Sequence, residues 1–112
     1  MQYALMIYAE PGHDEALSDA EREVVNADYL AMADDARAVV SAQLQPAETA
    51  TSVRVVGGRT LVTDGPFADT KEVLGGFCLV EAANLDDVLE LAARIPAARL
   101  GGVVEVRPVV QR

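Results

Sequence analysis

One segment concentrates chemistry-bearing residues: Asp64-Gly65-Pro66-Phe67-Ala68-Asp69-Thr70-Lys71-Glu72. Asp64 offers a carboxylate for acid–base work or for holding a polar ligand. Lys71, or Arg54 earlier in the chain, could stabilise negative charge developing on a substrate. Thr70, Lys71 and Glu72 could ring a pocket mouth, with Phe67 as its apolar wall. The plainer alternative is a turn, in which Asp64 bonds nearby amides, Pro66 stiffens the chain and Phe67 plugs the core. Loops held by rigid strands carry a disproportionate share of function. Asp64 is therefore the candidate acid/base, and Tyr8, Arg54, Asp64, Phe67, Thr70, Lys71 and Glu72 are the candidate ligand-binding set.

Other reactive residues stand more alone. His13 sits in a glycine-containing loop with Glu10, Asp14 and Glu15 and reads as a solvated side chain, with no partner evident to tune it. Cation ligation needs several fixed donors, so no metal site is expected. Tyr8 ends an apolar run, where a phenol can line a pocket, and Tyr29 reads as a packing residue. Arg54 and Arg107 lie in strand-like runs, suited to ion pairs or to a carboxylate or phosphate ligand. Cys78, the single cysteine, reads as a small buried hydrophobe. There is no GxSxG, no P-loop and no GxGxxG after a strand, and no cofactor is expected.

These residues must be positioned by one domain of 112 residues, 51% hydrophobic and 24% charged, long enough for a core of its own. Nine basic against eighteen acidic residues give a net charge of −9, which argues against nucleic acid or an anionic membrane as partner. No apolar run approaches the ~20 residues of a membrane span. The first ten residues lack a basic leader pattern, and a cytoplasmic location is the expectation.

The elements follow from periodicity and punctuation. Gln2 to Tyr8 reads as a strand with Tyr3, Leu5 and Ile7 on one face and Ala4, Met6 and Tyr8 on the other. Ser18 and Glu21 have capping-box spacing, and Val25, Tyr29, Met32, Ala36 and Val39 form one helical stripe. From Ser41 to Ala50 the signal weakens. Ser52–Val56 and Arg59–Thr63 flank Gly57-Gly58 as a hairpin, which either joins the main sheet or projects from it. Gly75-Gly76 introduces a strand at Phe77–Glu81. Asn84 caps a helix with Leu85, Val88, Leu89, Ala92 and Ile95 on one face, ended by Pro96. Gly101-Gly102 leads into Val103–Val109.

The order β-α-β-β-β-α-β predicts an α+β ferredoxin-like sandwich with two helices on one face of a sheet. Several strands are apolar on both faces. Helices cover only one, and the other needs a cover. A twofold partner packing sheet on sheet would supply it, so a homodimer forming an α+β barrel is expected, with a pocket between sheet and partner.

Asp64 to Glu72, followed by Leu74-Gly75-Gly76-Phe77, closely resembles the DGPFxETKExxGGF/Y signature of the DGPF-motif family of YCII-related proteins, with Asp69 in place of the commoner Glu. Tyr3 to Tyr8, Leu44-Gln45-Pro46, Thr51 to Arg54 and Val104 to Pro108 are similar to further elements of that family in the same order. The resemblance spans the chain and implies a dimeric ferredoxin-like fold. It implies no defined activity. Some such proteins are encoded beside extracytoplasmic-function sigma factors, which implies a regulatory role and a sigma factor as possible partner. The broader group has been proposed to contain enzymes built on a His–Asp pair with the histidine in the first helix. Here that region reads Val25-Asn26-Ala27-Asp28-Tyr29, and the pair is not carried over. The leading expectation is a small ligand-binding or regulatory dimer. The alternatives are a cofactor-independent enzyme on a small organic substrate with Asp64 as acid/base, and a protein-interaction module.

Overall fold

The computed structural model describes residues 1–68 and 70–112; Asp69 of the loop above lies outside the described residues. Six strands are present: β1 (Gln2–Ala9), β2 (Ala38–Gln43), β3 (Thr51–Val56), β4 (Arg59–Asp64), β5 (Val73–Glu81) and β6 (Val103–Pro108). Three α-helices accompany them among the described residues: α1 (Asp19–Ala33), α2 (Leu85–Ala93) and the short α3 (Pro96–Arg99).

The main sheet runs β2-β5-β1-β6, antiparallel throughout. β1–α1–β2 and β5–α2–β6 are thus two interleaved βαβ units, each leaving room for one strand of the other. This is the ferredoxin-like α+β arrangement. β3 and β4 are inserted between the units and form a separate two-stranded sheet, which resolves the open question about the hairpin. Gly57 and Gly58 both have positive φ, as its two-residue turn requires.

Register explains the core. Leu5 stands opposite Cys78 on one side and Val106 on the other, and Tyr3 opposite Val80. These side chains face the helices; all but the partly buried Val106 are buried with Val88, Leu91 and Ile95, each worth up to about 1.5–3 kcal/mol. Cys78 is fully buried, and burial pushes its thiol up from the ordinary value, which keeps it protonated and inert.

Both halves of the predicted capping box are made: Glu21 N–H donates to Ser18 Oγ, and Ser18 N–H to Glu21 Oε1. The stripe, however, stops short. α1 ends at Ala33, and Ala36 and Val39 do not continue it. The Asp35 carboxylate accepts the Arg37 backbone N–H at 2.9 Å and its guanidinium at 2.8 and 2.9 Å. That tight turn reverses the chain into β2, a strand the periodicity hides.

Two further expectations are corrected. Gly75 and Gly76 lie inside β5 rather than before it. A Cβ on Gly76 would meet the Ala42 carbonyl oxygen at 2.9 Å, so the neighbouring backbone accounts for the glycine. In α2 the inward stripe is Val88, Leu91, Ala92 and Ile95, whereas Leu85 and Leu89 are exposed. Asn84 caps α2 through the Asp87 N–H as expected, and Pro96 also opens α3.

The far face of the sheet has no cover among the described residues. Ala4, Met6 and Tyr8 of β1 share it with Phe77 and Leu79 of β5, Val40 and Ala42 of β2 and Val103 of β6. Polar residues lie at its margins: Glu105 and Arg107 of β6 pair with each other at 2.6 Å, and Gln2 stands opposite Glu81 at one end.

Candidate functional site

α1 is held loosely. It buries only Val25 and Met32, and the sheet beneath it is built from small residues: Ser41, Ala42, Gly75 and Gly76. Small residues on the floor and a thin apolar stripe on the roof leave a gap. The result is a cleft of about 580 Å³ between α1 and the β2–β5 end of the sheet. Leu17, Val25, Leu30 and Met32 make its apolar walls, and Asp14, Arg22, Asn26, Tyr29, Ser41 and Gln43 supply polar groups. A mostly apolar cavity with a few placed polar groups is the usual form of a small-molecule site.

Its roof is pinned at two points. Arg22 donates to the Asp14 carbonyl at 2.7 Å, tying α1 to the turn before it. Arg99 of α3 meets Asp28 of α1 at 2.6 Å. Next to Asp28, burial pushes the Tyr29 phenol up from its ordinary value; the Ala97 backbone works against that, and Asp14 reinforces it. Tyr29 therefore stays a neutral hydroxyl at physiological pH, able to donate or accept a hydrogen bond.

His13 corrects the sequence reading. Its side chain is only 19% exposed, and its Nδ1 lies 3.4 Å from Asp14 Oδ1. The other ring nitrogen, Nε2, is buried without a partner among the described residues. The imidazole lines a shallow recess with Glu10, Leu17 and Leu100 that adjoins the cleft, Leu17 being common to both. A carboxylate beside one ring nitrogen with the other left free is the arrangement that orients a histidine as a base. Among the described residues no three His, Cys, Asp or Glu side chains converge as a metal site would need.

The seven residues anticipated from sequence do not line this cleft. Tyr8 is on the opposite, uncovered face, between Leu74 and Val103. Arg54 projects from β3, and Asp64 is exposed at the end of β4. Phe67 is 79% exposed and plugs no core. Thr70 donates its hydroxyl to the Glu72 carbonyl, a local loop bond, and Glu72 is half-buried. Lys71 pairs with Glu10 at 3.2 Å, which lays the loop beside the His13 recess. The cleft residues were missed although Arg22, Asn26 and Tyr29 fall at i, i+4 and i+7, a polar-edged stripe beside Val25 and Met32.

The chain is matched over residues 1–112 by the YCII-related domain. It is 37% identical over 114 residues to an uncharacterized protein of Rhizobium meliloti strain 1021, covering 97% of this chain and 92% of that protein. Among solved structures it is similar to the 5-chloro-2-hydroxyhydroquinone dehydrochlorinase of Burkholderia phenoliruptrix AC1100, in complex with 2,5-dihydroxybenzoquinone. There the TM-score is 0.59 with 19% identity, over 100% of this chain and 96% of the other. At that identity the likeness concerns the fold.

Proposed function

We propose that this chain, which belongs to the YCII-related domain family, works as a homodimer that binds a small oxygenated organic molecule in the α1 cleft. The observation that carries the proposal is the cleft itself, whose apolar walls and polar edge suit a ring-sized body bearing hydroxyl, carbonyl or carboxylate groups. Arg22 is its single cation and would take an anionic oxygen; Asn26, Ser41, Gln43 and Tyr29 would read neutral ones. The hydroxylated quinone held by the dehydrochlorinase belongs to this chemical class. The dimer reading rests on the uncovered apolar face of the main sheet. The loop carrying Asp64 and Lys71 is proposed as a neighbouring wall of the His13 recess.

A thermal-shift series with phenols, hydroxyquinones and small aromatic acids tests this. A ligand present at 100 times its Kd stabilises the folded state by about 2.7 kcal/mol. The stabilisation should vanish in Asn26→Leu and persist in Asp64→Asn. An equal response in Asn26→Leu, or none in the wild type, counts against the cleft.

The His13–Asp14 pair favours a second reading, a cofactor-independent enzyme acting on the bound molecule. His13 would then be the base in place of Asp64. Turnover that His13→Gln abolishes while binding survives would support it, and binding without turnover would leave the protein a binding module.

A further inference from the structure

The β3–β4 hairpin is the part of the molecule that one copy explains least. Its strands pair from Thr51–Asp64 to Val56–Arg59, yet they form a sheet of their own, and β4 is exposed along its whole length. A two-stranded hairpin with nothing packed on it is at best marginally stable in water.

The pairing sorts its side chains into two faces. Val53, Val55, Thr60 and Val62 lie on one, with Thr51 and Asp64 at its end nearest the main body, and Arg54, Val56, Arg59 and Leu61 lie on the other. The first is a β-branched apolar surface, with Val53 and Val62 exposed at 61% and 64%. The second carries two guanidinium groups with no carboxylate partner among the described residues. With Arg54, Arg59 and Asp64 the hairpin contributes +1 to a chain of net charge −9, which leaves −10 on the remaining residues. The outline agrees: the radius of gyration is 15.8 Å, against about 13 Å for a compact domain of this length.

We propose that this hairpin is a clasp that closes on a second copy of the chain. Its valine face would pack at the margin of the partner's uncovered sheet, and Arg54 and Arg59 would meet the partner's carboxylates. A second copy is the fitting occupant because it presents both an unpartnered apolar face and a large excess of negative charge. Under twofold symmetry both clasps would be satisfied at once. The inference rests on the dimer reading above and adds to it the element that holds the dimer together.

Analytical ultracentrifugation of the wild type, Val53→Ser/Val62→Ser and Arg54→Glu/Arg59→Glu tests the clasp, together with trypsin digestion of the wild type below and above its dimer dissociation constant. Each double variant should dimerise at least about tenfold more weakly. Added salt should weaken the wild-type dimer and not the charge-reversed one. Cleavage after Arg54 and Arg59 should slow in the dimer. Dimerisation within about twofold of wild type in both variants, with equal cleavage at both concentrations, would overturn the clasp and leave the dimer standing. A variant that fails to fold leaves the digestion of the wild type as the deciding result. A wild type that stays monomeric would overturn the dimer and the clasp together.

Discussion

Asp14 holds a carboxylate oxygen 3.4 Å from Nδ1 of His13, while Nε2 of the same ring is buried with no partner among the described residues. An unpaired buried nitrogen costs stability, and a neighbour that favours a proton on Nδ1 leaves the Nε2 lone pair unused. Among the described residues that nitrogen has no structural bond to make.

The first prediction follows from that cost. His13→Leu removes the unsatisfied nitrogen and keeps an apolar filling. Its unfolding free energy in urea should lie within about 1 kcal/mol of wild type. A loss near 3 kcal/mol would show that the ring makes a structural bond.

Gly76 supplies the second. A methyl group there would sit 2.9 Å from the Ala42 carbonyl oxygen, so β2 and β5 would have to part. Gly76→Ala should destabilise the fold by about 1–3 kcal/mol and weaken ligand binding, since both residues line the cleft. Calorimetric unfolding checks the first effect, and titration with a bound ligand the second. Unchanged values in both would mean that the strands yield freely.

The third concerns pH. Asp35 is held well below its ordinary value of 3.8, first by the Arg37 guanidinium hydrogen bonds and then by the Arg37 N–H. A carboxylate depressed in the folded state stabilises fully above its unfolded pKa, and that stability is lost as pH falls through the folded value. Arg37 also reaches the Asp87 carbonyl at 2.8 Å and Glu90 at 3.2 Å, so the same group joins the α1–β2 turn to α2. Asp35→Asn should cost about 1–2 kcal/mol at neutral pH. It should also flatten the fall in urea midpoint on acidification below pH ~4. An unchanged acid limb would remove Asp35 from the account.

Much of this architecture was legible where local chemistry and periodicity agreed: the Ser18 cap, the Gly57-Gly58 hairpin, the two-faced β1 and the Asn84 cap. The failure around β2 has a physical cause. Ala36 and Val39 extend the four–three step of α1, so the helical reading ran through the turn. The opposing signal was Asp34-Asp35, two poor helix formers, followed by the β-branched pair Val39-Val40. Missing β2 hid Ser41 and Gln43, and with them the floor of the cleft. Sequence alone leaves His13 a solvated loop side chain, because burial of such a side chain depends on distant residues such as Leu100. The loop from Asp64 drew attention by its density of polar groups, but density does not reveal enclosure; Asp64 and Phe67 are exposed here.

The central claim is that the ligand sits beneath α1. Amide chemical-shift mapping with a small oxygenated aromatic that stabilises the protein tests it most directly. The account predicts shifts centred on Arg22, Asn26, Tyr29, Ser41, Gln43 and Gly76. Shifts confined to the segment from Asp64 to Glu72, or to Tyr8 and the uncovered sheet face, would contradict it.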